Sequence, residues 1–187
     1  RDRTFLYTPE PPAVEGGFRI GGAPSFRSVI DLDVPSALNG PPEFCAVVGC
    51  PFTLTPDVLS RATLILTSRA TEPAAFQPLD TVAIDVRPVL APEALPKSPL
   101  GAPLAANSRF GAEDFGQDAG RELGIPLTNF IASLVDPDGD PDAPASIALL
   151  TLFEPLDIAF FGFAGPGDPG EPVLRLLLTV ADTVTFR

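Results

Sequence analysis

The sequence predicts an all-β fold, an antiparallel β-sandwich of the jelly-roll type with one short helix and long loops rich in proline and glycine. The clearest evidence is the stretch LSRATLILT at 59–67, in which Ala62, Leu64 and Leu66 alternate with a mixed set of residues. A period of two is typical of a strand with one face on a core. In addition, 24 prolines and 16 glycines divide the 187 residues into short pieces, which favours short strands joined by turns.

Other strands are predicted on both sides of this central one. Ile30, Leu32 and Val34 alternate with Asp31 and Asp33 in a strand that a proline ends. The remaining strands are predicted within residues 1–8, 16–22, 79–86, 145–153, 156–163, 173–180 and 182–187. Nine or so strands in sequence, with turn residues between them, indicate a sandwich rather than alternating strands and helices.

One helix is predicted, because Leu127, Phe130, Ile131 and Leu134 follow the i, i+3, i+4, i+7 spacing of an apolar helical face. The least regular region is 91–120. We interpret it as a long surface loop held to the body by phenylalanines, and a linker between two domains is the alternative.

We expect a single β-sandwich domain over residues 1–187. Within it, residues 1–12 form an N-terminal strand or tail, residues 18–180 the body of the sandwich, and residues 182–187 a C-terminal strand.

Composition excludes several classes of function. The net charge is −12, and nucleic acid is a poor partner because phosphate binding needs a cationic surface. The chain has no histidine, which excludes Ser-His-Asp and Cys-His catalysis and histidine-based zinc sites. No apolar run is long enough for a membrane span, so no membrane insertion is expected. We predict a non-enzymatic protein that requires no cofactor.

The two cysteines, Cys45 and Cys50, enclose a short segment containing Gly49. Their even number and spacing predict a disulfide-closed loop, with two reduced, buried thiols as the alternative. A disulfide indicates an oxidising compartment. We therefore expect a secreted or cell-surface protein whose signal peptide has been removed.

Several segments resemble the DNRLRE-type extracellular domains. The stretch RSVIDLDVP at 27–35, followed by LSRATLIL at 59–66, is similar to the core pattern of that family, and IPLTNFI at 125–131 resembles the segment that begins its short helix. Similarity to its closing strands is carried by SIALL at 146–150, FFG at 160–162 and EPVLRL at 171–176.

The resemblance covers about residues 18–180 and implies an extracellular jelly roll, often displayed on a surface, with carbohydrate binding in some members. The chain departs from the family in its cysteine loop, in the strand after Val180 and in the absence of tryptophan. Sugars stack best on large flat rings, and only Tyr7 and the 14 phenylalanines could replace tryptophan here.

Four aspartates alternate with other residues in the segment DPDGDPD at 136–142. Asp136, Asp138, Asp140 and Asp142 offer hard oxygen ligands at a spacing that suits calcium, although Ile147 stands where an EF-hand loop has its bidentate glutamate. A possible calcium site is one interpretation. A solvated acidic turn is the other.

Two other pairs of carboxylates, Asp31 with Asp33 and Glu113 with Asp114, have the residue types that a glycosidase uses. Glycosidases hold two carboxyl groups at a set separation across a sugar-binding cleft, and the sequence does not reveal such a separation. Solvent-facing positions on a strand are sufficient to explain Asp31 and Asp33.

The two ends of the chain have strand character outside the family-like core. The segments concerned are Thr4, Phe5, Leu6 and Tyr7 at one end, and Thr183, Val184, Thr185 and Phe186 at the other. They pair either within the domain or with the sheet edge of a neighbouring subunit.

The sequence thus predicts a structural subunit of an extracellular filament, sheath or cell-surface assembly, with self-association or other surface proteins as partners. The alternatives are a polysaccharide-binding module, with calcium possible, and an accessory subunit of a larger envelope complex.

Overall fold

The computed structural model describes residues 15–21, 26–104, 108–152 and 158–179. These residues form eleven strands and two α-helices. In chain order they are β1 (Gly17–Gly21), β2 (Ser28–Asp31), β3 (Ala37–Leu38), α1 (Pro42–Val48), β4 (Phe52–Thr53), β5 (Leu59–Arg69), β6 (Val82–Pro88), β7 (Ser108–Phe110), β8 (Glu122–Pro126), α2 (Thr128–Leu134), β9 (Ser146–Thr151), β10 (Phe160–Ala164) and β11 (Val173–Leu178).

Two antiparallel sheets form the body of the fold. One contains β1, β10, β5 and β8 in that order, with β11 also paired to β5, and the other contains β2, β9, β6 and β7. The chain crosses repeatedly from one sheet to the other, so that β1 and β2, β5 and β6, and β9 and β10 lie in opposite sheets. This strand order is that of a jelly roll, and the predicted all-β sandwich is confirmed.

A single apolar core fills the space between the sheets. Leu64 and Leu66 of β5, Ile84 of β6 and Ile147 of β9 have at most 1% of their surface exposed, and they belong to the same buried cluster. Phe161 and Phe163 of β10 belong to this cluster, and Phe163 stacks on Phe18 with ring centroids 5.2 Å apart. The alternation in the predicted central strand therefore identified a face of this core.

Strand β5 is the longest element and has partners on both edges. Residues Thr63–Thr67 pair with β8, and Leu59–Ile65 pair with β11, so these two strands lie on opposite edges of β5. Ser68 exchanges backbone hydrogen bonds with 120–121 on the β8 side and pairs with Phe163 of β10. Strands β10 and β11 therefore lie end to end along the same edge of β5.

The predicted helix is confirmed as α2. Its Ile131 is fully buried in the core, and its first residue, Thr128, accepts a hydrogen bond from the Ala62 N–H at 3.1 Å. The Leu127 N–H donates to the Ala62 carbonyl at 2.9 Å. These bonds fix the start of α2 against the middle of β5.

A second helix, α1, was not predicted. It lies in a small lobe that also contains the β3–β4 hairpin, and none of its residues is buried. Phe44 of α1 packs edge-on against Phe52 of β4, with ring centroids 5.6 Å apart. No helix in the described part of the chain has the length and apolar character needed to cross a membrane.

The region 91–120 is more ordered than the predicted surface loop. Residues 108–110 form β7, which extends the four-stranded sheet by pairing with β6. Phe115 is completely buried and contacts the rings of Phe161 and Phe163. The expectation that phenylalanines hold this region to the body is therefore confirmed for Phe115, whose ring is part of the core itself.

Candidate functional site

The two terminal segments predicted to mediate assembly, 4–7 and 183–186, lie outside the described residues. The first and last described residues are Glu15 and Thr179. The Glu15 carbonyl accepts a hydrogen bond from Arg69 Nη1 at 2.7 Å, and the Thr179 N–H donates to the Val58 carbonyl at 2.8 Å.

The aspartate segment at 136–142 forms an exposed turn after α2. The Asp136 carboxylate accepts the Asp138 N–H, and the Asp140 carboxylate accepts the Asp142 N–H, both at 3.0 Å. Each of these carboxylates thus stabilises its own turn, as is common for aspartate in loops. Within the described ranges, no three acidic, histidine or cysteine residues are gathered so that they could hold a metal ion. This geometry favours the solvated acidic turn, and calcium binding there stays a prediction.

The predicted disulfide is present. Cys45 and Cys50 are joined, with their Cα atoms 5.1 Å apart, across the C-terminal end of α1. Gly49 lies between them with a φ of 79°, a conformation that side chains other than glycine rarely adopt. The bond closes an exposed lobe, so its effect is on the local structure of α1 and the adjoining hairpin.

The paired carboxylates serve structural contacts. Asp31 accepts a hydrogen bond from the Ser146 hydroxyl at 2.5 Å, which links β2 to β9. Asp114 is buried, accepts the Gly111 N–H at 3.0 Å and faces Arg121 at 3.4 Å, so it organises the turn that precedes β8. Asp31 and Asp114 therefore each make structural contacts.

A different feature, the outer edge of β11, has the character of an interaction site. Among the described residues β11 pairs with β5 alone. Alternate residues of an antiparallel edge strand direct their N–H and C=O groups away from the sheet, where another strand can bind them. The edge is six residues long, which corresponds to roughly 20 Å of strand.

The side chains of β11 are unusually apolar for an edge. Its sequence is VLRLLL, with Val173 49% exposed and Leu177 59% exposed. The one charge, on Arg175, is paired with Glu122 at 3.1 Å across the outer face of the sheet. Natural edge strands are commonly protected by lysines, prolines, bulges or inward-pointing charges. Among the described residues, the protection of this edge consists of Pro172 before the strand and a shift of register between Leu177 and Leu178, where the ladder skips Ser60 of β5.

Glu15 and Gly16 lie close to the loop that leads into this edge. The Gly16 carbonyl accepts the Gly165 N–H at 3.0 Å, and Arg69 binds both the Glu15 carbonyl and Asp168. Gly165 and Asp168 belong to the loop that leads from β10 into β11. Glu15, the first described residue, therefore lies beside the segment that leads into β11.

Sequence reasoning identified the strand at 173–180 but not its place in the sheet. The apolar alternation of Leu174, Leu176 and Leu178 shows which face packs on the core, whereas edge position depends on which strands pair with it. The run VLRLLL, with one charge in six residues, is a signal that could have indicated an unprotected edge.

Comparison with known proteins gives no further guide to the function of this site, since no protein-family model, no curated protein and no solved structure matches the chain. The resemblance to DNRLRE-type domains stays a prediction.

Proposed function

We propose that the protein is a non-enzymatic, exported structural subunit that self-assembles by adding an N-terminal strand of one copy to the β11 edge of the next. The observation that carries the proposal is the apolar outer edge of β11, which has no strand partner other than β5 among the described residues. Head-to-tail contacts of this kind build rings when the rotation between copies closes and open filaments when it does not, and a filament is the assembly proposed here. The Cys45–Cys50 disulfide is in keeping with an extracellular location.

The proposed occupant of the edge is the segment 4–7, TFLY, of a neighbouring copy. This segment has strand-forming residues and is separated from Glu15 by residues 8–14, which include Pro9, Pro11 and Pro12. Proline-rich segments are extended and stiff, and one of this length spans roughly 20 Å. We propose that this spacer allows the strand to reach the edge of another copy.

The assay is light scattering after size-exclusion chromatography, combined with negative-stain electron microscopy over a range of protein concentrations. The wild-type protein is expected to form larger species as concentration rises. Deletion of residues 1–8 and the substitution Leu177→Lys are each expected to shift the protein toward the monomer. Leu177 is 59% exposed, so a lysine there is tolerated in the monomer while it places a charge at the edge.

The size of the Leu177 effect follows from the exposure of its side chain. Full burial of a leucine contributes about 1.5–3 kcal/mol, so burial of the 59% that is exposed contributes about 1–2 kcal/mol. Loss of that contribution weakens association by about 5-fold to 30-fold. The matched control is Leu79→Lys, because Leu79 is 97% exposed and lies outside any strand. It should assemble as the wild type does.

A peptide with the sequence of residues 1–8 provides a direct test of strand addition. It should bind the deletion variant and should bind the deletion variant carrying Leu177→Lys at least about 5-fold more weakly. A wild-type protein that remains a monomer at every concentration would refute self-assembly. That result, together with a deletion variant of lowered stability, would mean that the segment pairs within its own chain.

A further inference from the structure

A groove opens between β1 and β2, the edge strands of the two sheets, next to the start of β11. Its volume is about 540 Å³. Phe18 of β1, Ile30 of β2 and Pro172, the residue before β11, are among its lining residues. Phe18 and Ile30 also pack against the main core, so the groove is a place where the core is open at its side.

The groove lies at one end of the edge that is proposed to bind the neighbouring copy. Strands β10 and β11 lie end to end along β5, and β1 pairs with the other side of β10. A strand added to the outer edge of β11 therefore lies end to end with β1, with one of its own ends beside Val173. The loop that leads into β11 lines the groove through Pro166, Glu171 and Pro172. Side chains at that end of the added strand are thus within reach of the groove.

The rim of the groove is acidic. Asp31 and Glu171 line it, and none of its described lining residues is basic. One oxygen of Asp31 accepts the Ser146 hydroxyl, and Oε2 of Glu171 accepts the Gly167 N–H at 2.8 Å. An ionised carboxylate has two oxygens that accept hydrogen bonds, so each of these groups can also bind a donor from a ligand.

An arginine side chain matches both the apolar walls and the acidic rim. Its aliphatic stem packs on apolar surface while its guanidinium group stays at a polar boundary. The guanidinium group binds carboxylates through directed, charge-assisted hydrogen bonds, and it is attracted to the face of an aromatic ring such as that of Phe18. An uncharged or acidic side chain would leave the two carboxylates without an opposite charge.

The N-terminal segment has arginines at one end only. Arg1 and Arg3 precede TFLY at 4–7, whereas Glu10 follows it. If Thr4 lies beside Val173, Arg3 reaches the groove. In the opposite direction the end that carries Glu10 approaches the acidic rim, where like charges repel.

We propose that this groove binds Arg3 of the neighbouring copy, so that the added strand runs parallel to β11, with Thr4 beside Val173 and Tyr7 toward Leu178. The inference rests on the proposed function, and it adds the residue that anchors the strand and the direction in which the strand runs. Backbone hydrogen bonds provide the affinity of strand addition, and side-chain pockets such as this groove provide its specificity.

Charge changes in the full chain test the anchor. Arg3→Glu replaces an attraction by a repulsion and is expected to weaken association at least about fivefold, measured by light scattering over a range of concentrations. Glu171→Gln removes the charge but keeps an oxygen that accepts the Gly167 N–H, and it should weaken association about threefold. The double variant Arg3→Glu with Glu171→Arg should restore association to within about threefold of the wild type.

The matched control is Glu93→Gln, because Glu93 is an exposed residue of the loop after β6 and does not line the groove. It removes the same charge and should assemble as the wild type does. Thermal unfolding shows whether each variant is folded. Arg3→Glu decides the question if a change at Glu171 lowers stability, because it leaves every described residue unaltered.

Cysteine cross-linking tests the direction of the added strand. The Thr4→Cys chain, mixed with the Val173→Cys chain under mild oxidation, is expected to form a cross-linked dimer at least about fivefold faster than the Tyr7→Cys chain mixed with the same partner. Val173 is 49% exposed, so the substitution there is compatible with the fold. Equal or faster cross-linking from position 7 would refute the parallel direction.

The outcomes separate this inference from the function on which it rests. A wild-type protein that assembles, with Arg3→Glu and Glu171→Gln assembling equally well, would overturn the anchor and leave strand addition at β11 intact. A wild-type protein that stays a monomer at every concentration would overturn both. Weakened assembly in both variants, with rescue in the double variant and faster cross-linking from position 4, would establish the groove as the anchor.

Discussion

Replacement of Phe115 by alanine is predicted to be among the most damaging single changes in this protein, although Phe115 belongs to no strand or α-helix. Its side chain is fully buried, and its ring lies edge-on to Phe161 at 5.3 Å and to Phe163 at 5.7 Å between centroids. Truncation of a buried phenylalanine to alanine usually costs about 3–5 kcal/mol of unfolding free energy. Each edge-on ring pair adds about 0.5–1.5 kcal/mol.

For Phe115→Ala we expect a loss of unfolding free energy in the upper half of the range of about 3–5 kcal/mol, because the backbone at residue 115 is held in place. The Phe115 carbonyl accepts the Thr71 N–H at 2.9 Å, and this bond remains in the variant and limits collapse around the cavity. A loss of about 4 kcal/mol with an m-value of about 2 kcal/mol per molar lowers the urea midpoint by about 2 M.

Urea unfolding followed by circular dichroism provides the measurement, with Phe110→Ala as the control. Phe110 is only half-buried at the edge of the four-stranded sheet, so its loss should cost less than half as much. A decrease below about 1.5 kcal/mol for Phe115→Ala, at an unchanged m-value, would show that the ring is not part of the cooperative core.

Two further predictions concern loops. Gly167 and Gly170 both have positive φ, but a Cβ at Gly170 would lie 2.7 Å from Thr67 Oγ1, whereas one at Gly167 would meet nothing within 4 Å. Gly167→Ala should therefore cost about 1 kcal/mol in thermal unfolding and Gly170→Ala at least about 1 kcal/mol more, and equal costs would contradict the steric argument. Reduction of Cys45–Cys50, which closes a separation of 5 residues, should abolish hydrogen-exchange protection in α1 and lower global stability by no more than about 2 kcal/mol. A larger loss would mean that the small lobe is part of the cooperative core.

Every described strand of four or more residues was predicted from sequence, at least in part, except β8. Strand β8, ELGIP, was missed because Gly124 and Pro126 are typical of turns, although Leu123 and Ile125 alternate and are both buried. The strand is tolerated because Gly124 faces Thr63 of β5, where a Cβ would be only 3.2 Å from the Thr63 methyl group. Whether a strand can form around Gly124 depends on the strand that pairs with it, and the local sequence pattern does not contain that information.

Helix α1 and Asp85 illustrate two other limits of prediction from sequence. Pro42 at the first helical position and Glu43 in the first turn are ordinary helix-start signals, but no apolar periodicity follows, because α1 buries none of its residues.

Asp85 lies between Ile84 and Val86, two residues of the core cluster, so alternation predicts that its side chain faces away from the core. The sequence does not show that the chain after β6 covers that second face and buries the carboxylate.

The order of strands along β5 has a consequence for how the protein is made. The hydroxyl groups of Ser60 and Thr179, at the ends of the β5–β11 pair, come from residues 119 positions apart, and β10 and β8 also follow β5 at long distances in the chain. During synthesis from the N-terminus, the apolar segment at 62–66 therefore exists without β8 until residue 126 has been added, and without β11 until residue 178 has been added. Proteins with such distant pairings fold slowly and expose aggregation-prone segments meanwhile. Export in an unfolded state, with folding completed only after the whole chain has crossed, would spare this protein that exposure.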